Sequence, residues 1–195
     1  MLRLTAFGYA NTKRHLEEGL LGSMPVLTII TAPDPRLKKL STAVKAVDGE
    51  IRQLMDDMLE TMYAAPGVGL AAPQIGVQKR VIVADVSSRG EDRRPIRMAN
   101  PEIISSSLDI AIFEEGCLSL PEHFAEVKRP ERVTVRYRDY ENKICEEQLE
   151  GPLSTCVQHE IDHLDGILFV DHISGLKRSI ILRKLNKLKK AEAKT

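Results

Sequence analysis

The stretch "GPLSTCVQHEIDHLDG", residues 151–166, decides how the chain is read. Pro152 suits a first helical turn, where its missing N–H costs nothing, and Gly166 suits a helix end. Between them Leu153, Cys156, Val157, Ile161 and Leu164 are mostly apolar, so the spacing predicts a buried helix. On a helix, residues four apart lie one above the other, which lets His159 and His163 grip one ion together. Glu160 projects beside that ion and can handle the proton of a water there, the mechanics of an H-E-x-x-H site. The plain alternative is two ordinary helix histidines. Five histidines in 195 residues give roughly 0.1 chance pairs at that spacing, which makes coincidence a poor explanation.

A catalytic site of this kind usually takes three protein ligands and keeps one position open. Phe169 stands where a metzincin protease would have its third histidine, and the only glutamate after Glu160 is Glu192, in a basic tail, so the thermolysin-like pattern fails too. Cys156 shares a helical face with the histidines but is seven residues from His163, about 10.5 Å along the axis. It reads better as a small buried apolar residue. Cys145 sits in a charged, strand-like segment with no special setting. Cys117 lies in "EEGCLSLPE", residues 114–122, after Gly116 and before a turn-forming proline. A separate loop can bring its thiolate to the helix from outside, so Cys117 leads over Cys156, His123, His172 and Asp171 as third ligand.

Elsewhere, "DGEIRQLMDDMLETMYAAPG" places Ile51, Leu54, Met55, Met58, Leu59 and Met62 at helical spacing behind Asp48 as N-cap. "GVGLAAPQIGVQ", residues 67–78, reads as a glycine- and proline-rich loop before a short apolar strand, "RVIVADV". "ERVTVRYRDYENK" alternates Val133, Val135 and Tyr137 inward with Thr134, Arg136 and Arg138 outward, then turns at Glu141 and Asn142: a half-buried hairpin. In the last segment Leu176, Ile180, Ile181, Leu185 and Leu188 fall on one side of a helix, opposite a basic face. Strands, a hairpin and helices without regular alternation indicate an α+β fold.

At 195 residues and 43% hydrophobic, one compact core is expected. Net charge is zero, which gives no whole-chain signal for nucleic acid. The balance conceals a tail from His172 onward carrying +7, eight Lys or Arg against Glu192. Three cysteines without disulfide spacing fit a reducing, cytoplasmic setting, and no apolar run approaches the ~20 residues of a membrane span. Residues 1–23 stand apart as an N-terminal extension of unknown role before a domain spanning 24–195. An organellar presequence there stays open, although Glu17 and Glu18 count against it.

"GVGLAAPQIG", "EGCLSLP" and "QHEIDHLDG", in this order, closely resemble the three motifs of the bacterial peptide deformylases, which remove the formyl group from N-terminal formylmethionine. The resemblance implies a single compact α+β domain, with a central metal-binding helix surrounded by small antiparallel or mixed sheets and a C-terminal helix. Carried over position by position, it makes Cys117, His159 and His163 the metal ligands and Glu160 the general acid/base. Gln74 and the backbone N–H of Leu118 would bind the formyl oxygen. Gly67, Val68 and Gly69 would let an extended substrate pair backbone to backbone. Val68, Phe113, Glu115 and Cys156 would lie by the methionine pocket, and Gly116 would also bind substrate. The implied metal is Fe2+, with Ni2+, Co2+ or Zn2+ able to substitute. The implied partner is the N-formylmethionyl nascent peptide, met by a monomer that uses no membrane and docks its basic C-terminal helix on the ribosome. Two departures stand out: the leader falls outside the match, and Phe124 occupies a rim position where some members carry a substrate-touching arginine. The competing functions are an H-E-x-x-H endopeptidase and a non-catalytic metal- or ribosome-binding module.

Overall fold

The computed structural model describes residues 26–88 and 90–192, so what is expected of residues 1–23 lies outside the described residues. Helix α1, Gly49–Ala64, starts where Asp48 accepts a hydrogen bond from the Ile51 N–H at 3.0 Å, the cap its sequence signalled. It buries Ile51, Met55, Met58, Leu59 and Met62, at about 1.5–3 kcal/mol for each large side chain removed from water.

The surface it meets is a five-stranded antiparallel sheet, built from β1 (Gly69–Ala71), β2 (Val81–Ala84), β3 (Ile96–Ser106), β6 (Arg132–Arg138) and β7 (Ile144–Glu150) in that order. Strand β2 explains the unbroken apolar run: Val81 and Val83 pack with α1, while Ile82 and Ala84 face the second helix, α2, Gly151–Leu164. A strand covered on both faces needs no polar side. The β6–β7 hairpin alternates as its sequence does, with Val133, Val135 and Tyr137 buried against α2 and a turn that holds Asn142 at φ 64°. The remaining strands, β4 (Ile110–Cys117) and β5 (Leu120–Pro130), form a separate antiparallel ribbon.

Helix α2 is buried along most of its length. Val157, Ile161 and Leu164 enter the core between helix and sheet, and Val157→Asp would place an unpaired charge there. Gly166 then ends the helix at φ 72°, with so little room that a Cβ would sit 2.7 Å from the Lys38 carbonyl oxygen. Only glycine meets both demands.

Two expectations need correction. Residues 67–78 are not simply a loop: β1 pairs over its whole length with β2, and Ala72–Ile75 form a 3-10 turn. Small side chains there let the strand lie closely covered, and that tertiary setting overrides the loop preference of Gly and Pro. In the last helix, α3, Gly175–Glu192, the apolar stripe is narrower than its spacing indicates. Leu185 is buried and Ile181 and Leu182 pack beside Leu168, Phe169 and Val170, but Leu176, Ile180 and Leu188 are 71%, 41% and 52% exposed. The helix touches the body along one line, so residues a turn away on either flank stay in solvent.

Candidate active site

Helix α2 supplies two imidazoles from one face: the His159 and His163 rings are buried, with centroids 5.0 Å apart in an edge-on arrangement. The third member arrives from the ribbon. Regular pairing of β4 and β5 breaks between Gly116 and Cys117, where the partner jumps from Phe124 to Leu120, and this tight irregular turn aims the Cys117 thiol at the helix. Its Sγ lies 3.2 Å from His163 Nε2. One ligand atom each from Cys117, His159 and His163 falls within 4.8 Å of the others, the only such group of three or more among the described residues.

The other candidates for the third position are engaged elsewhere. Cys156 donates its S–H to the Val68 carbonyl at 3.3 Å; burial pushes this thiol well above its usual range, so it stays a donor. His123 Nδ1 contacts the Pro121 carbonyl, and His172 contacts Asp162. Asp171 accepts from the Leu168 N–H and pairs with Lys38 and Arg178.

His159 is oriented from behind. Its Nδ1 lies 2.8 Å from Glu115 Oε2. Burial raises the affinity of the Glu115 carboxyl for a proton, but hydrogen bonds from His159 and Arg129 prevail and bring its pKa down to about 2. An ionised carboxylate only accepts, which keeps an imidazole hydrogen on Nδ1 and makes Nε2 the nitrogen left to ligate. Burial lowers the proton affinity of this ring, but hydrogen bonds to Cys117 and Glu115 prevail and hold it well above its usual range, so Nε2 gives up a hydrogen when it ligates. Burial holds His163 well below its usual range, as a neutral ring with an Nδ1 that has no partner.

Glu160 is furnished differently. It is buried, its Oε2 has no hydrogen-bond partner, and burial pushes its pKa up to about 7. The strand opposite permits this placement only because residue 69 is glycine: a Cβ there would collide with Glu160 Oε1 and lie 2.7 Å from the Cys156 sulfur. Gln74, in the 3-10 turn, accepts the Ala71 N–H through Oε1 at 2.8 Å. That bond fixes the amide, whose Nε2 donates to Ser119 Oγ at 3.2 Å and faces Cys117 Sγ at 3.5 Å.

A cavity of about 240 Å³ opens onto this group, with Gly67, Val68 and Gly69 on one wall, Gly116, Cys117 and Leu118 on the other, and His159, Glu160 and Gln74 also lining it. A smaller one, about 50 Å³, adjoins Glu115, Cys156 and Thr155. Phe113, expected near the substrate, lines neither and sits half-buried on β4. Phe124 crosses the rim so closely that a Cβ on Gly116 would meet its ring at 2.5 Å, making this lip aromatic.

Sequence reasoning missed Arg129, Asp162 and Ser119. Arg129 is buried and forks onto both Glu115 oxygens, at 2.6 and 3.0 Å, while its Nη1 reaches Asp162 at 2.8 Å. The available signal was period two: Arg129 follows the buried Val127 by two residues, on the same inward face of β5.

A thiol and two imidazoles converging beside a buried glutamate and an oriented amide equip a metal-dependent hydrolase. The family model for polypeptide deformylase matches residues 26–179. A peptide deformylase of Phenylobacterium zucineum strain HLK1 is 54% identical over 168 residues, covering 86% of this chain and 99% of that one; one of Rhizobium meliloti strain 1021 is 52% identical over 167 residues, covering 86% and 96%. The crystal structure of the Ehrlichia chaffeensis peptide deformylase in complex with actinonin superposes with a TM-score of 0.80 at 43% identity, covering 84% of this chain and 98% of that one. The chain belongs to the polypeptide deformylase family.

Proposed function

We infer that the protein hydrolyses the N-formyl group of formylmethionyl nascent peptides and that Cys117, His159 and His163 hold the one divalent ion this metal-dependent family requires. The donor chemistry fits: one thiolate with two imidazoles suits Fe2+, Ni2+, Co2+ or Zn2+, and the Glu115 contact occupies His159 Nδ1, so Nε2 is the nitrogen that ligates once it has given up its hydrogen. Fe2+ is our choice, on the family resemblance. When bound, such an ion acts as a Lewis acid and makes water acidic enough to be a nucleophile near neutral pH.

The observation that carries the reading is Glu160, a buried carboxylate with a free oxygen at the edge of the cavity, next to the three ligands. Glu160 takes a proton from the attacking water and delivers it to the leaving amine, so the products are formate and a free methionyl N-terminus. Negative charge developing on the formyl oxygen is met by the Leu118 N–H and by Gln74 Nε2, which gives up its long 3.5 Å contact with Cys117 Sγ to donate there. The peptide lies extended along Gly67, Val68 and Gly69, where β1 pairs with β2 on only one side. The methionine side chain enters beside Val68, Glu115, Gly116 and Cys156.

We place the protein in the cytoplasm as a monomeric domain covering 24–195. The exposed Lys177, Arg183, Lys184 and Lys187 of α3 would face a ribosomal phosphate backbone. Among the described residues no helix is long and apolar enough to cross a membrane. The endopeptidase and non-catalytic readings gain no support from the third ligand or the family. The test is formate release under anaerobic conditions with Fe2+, from a formyl-Met tripeptide and its acetylated counterpart. Release from the formyl peptide alone is expected; cleavage of an internal peptide bond, or no release with one ion per chain, would overturn the reading.

A further inference from the structure

Arg129 is an arginine inside the protein with no direct contact to the cavity. Its guanidinium spans two carboxylates from separate elements: Nε and Nη2 take both oxygens of Glu115 on β4, and Nη1 takes Asp162 on α2. Arginine and Glu115 are 5% and 4% exposed. A buried ion pair is weak evidence for stability, because a well-packed apolar residue of similar volume often serves as well. The geometry shows another use. Glu115 Oε2 is shared, accepting from Arg129 Nη2 at 3.0 Å and from His159 Nδ1 at 2.8 Å. The two-pronged contact fixes the plane of the carboxylate, and with it the direction of the one oxygen that meets the imidazole. Asp162, one residue before His163, is in turn held by His172 Nε2 at 2.7 Å, which keeps the third prong in place.

We infer that Arg129 is a positioning residue for the metal group, fixing the Glu115 carboxylate so that His159 presents Nε2 to the ion. This rests on the reading that Cys117, His159 and His163 hold that ion. Methionine at 129 would leave Glu115 free to turn about its last bond and release the imidazole. Lysine would keep the charge but could not reach both Glu115 oxygens and Asp162 together.

The test is the rate at which Co2+-loaded protein gives up its ion to excess chelator, followed by the visible absorption of the bound ion, with the melting temperature of each metal-free variant measured alongside. Arg129→Met should lose the ion about 10–100-fold faster than the parent, the size typical of a lost outer partner of a ligand, and Arg129→Lys several-fold faster. If Arg129→Met does not fold, Arg129→Lys decides alone. Glu115→Gln should also accelerate loss, and adding Arg129→Met to it should change the rate no further, because the arginine acts through that carboxylate. Loss within about twofold of the parent in both arginine variants would overturn the inference. So would an equal acceleration in the Glu115→Gln background. A parent chain that holds no ion would instead overturn the reading beneath it.

Discussion

Two buried glutamates adjoin His159, and their surroundings differ at every point. Glu115 spends both oxygens on an arginine fork and an imidazole, and those donors outweigh burial and bring its pKa to about 2. Glu160, on the cavity side, leaves one oxygen without a partner, and burial raises it to about 7. The same side chain thus serves opposite ends. A carboxylate with both oxygens engaged by strong donors cannot readily change its protonation, so it fixes geometry. One that is buried and underused can take a proton and return it near neutral pH.

The comparison assumes an ion beside both groups, and the largest expected effect tests that. Cys117→Ala should remove the ion and bring formate release to background, measured as metal per chain and turnover; full occupancy would point to a ligand other than Cys117. A smaller effect separates the two walls. Gly69→Ala adds a methyl group against Glu160 and Cys156 but not Glu115, so turnover should fall about 100-fold from a displaced reacting group. Metal content should stay near the parent's, while the melting temperature should fall, because the buried Cys156 sulfur at 2.7 Å must yield as well as the Glu160 carboxylate. Loss of the ion in this variant would show that the walls are not separable.

The smallest effect concerns stability of the metal-free protein against pH. The folded value of Glu160 lies above its ordinary 4.5, so the folded state binds the extra proton, and its contribution is present below pH 4.5 and lost as pH rises through about 7. The difference is about 3 kcal/mol. Glu115 has the opposite sign: its contribution is present above 4.5 and lost as pH falls towards about 2. In chelator-treated protein, Glu160→Gln should flatten the decline between pH 4.5 and 7 in melting temperature and leave the acid limb unchanged. A parallel curve for parent and variant would contradict the assignment.

Much of this arrangement is legible in the sequence. Helix α1, helix α2 and the β6–β7 hairpin carry clean periods, with capping and turn residues where the chain needs them. Cys117 is expected at the helix because its loop lies between a glycine and a proline, and the structure brings its sulfur within 3.2 Å of His163. Strand β1 is hidden, because Gly69 in "GVGLAA" is there for close approach to Glu160 and Cys156, a demand set by residues some 90 positions away. Glu115 is expected beside the substrate and lines the smaller cavity, but its hold on His159 depends on Arg129, and no local pattern pairs residues 115, 129 and 162. For α3 the spacing names a face, while contact with Phe169 and its neighbours selects only Ile181, Leu182 and Leu185 from it and one flank.

The central claim is that Glu160 moves the proton, and Glu160→Gln tests it most directly, because the amide keeps the shape and loses the basicity. Metal content and formate release from a formyl-Met tripeptide would be measured on the same preparation. The account predicts one ion per chain, as in the parent, with release slowed by about 10²–10⁴. Release at the parental rate from a fully loaded variant would contradict it.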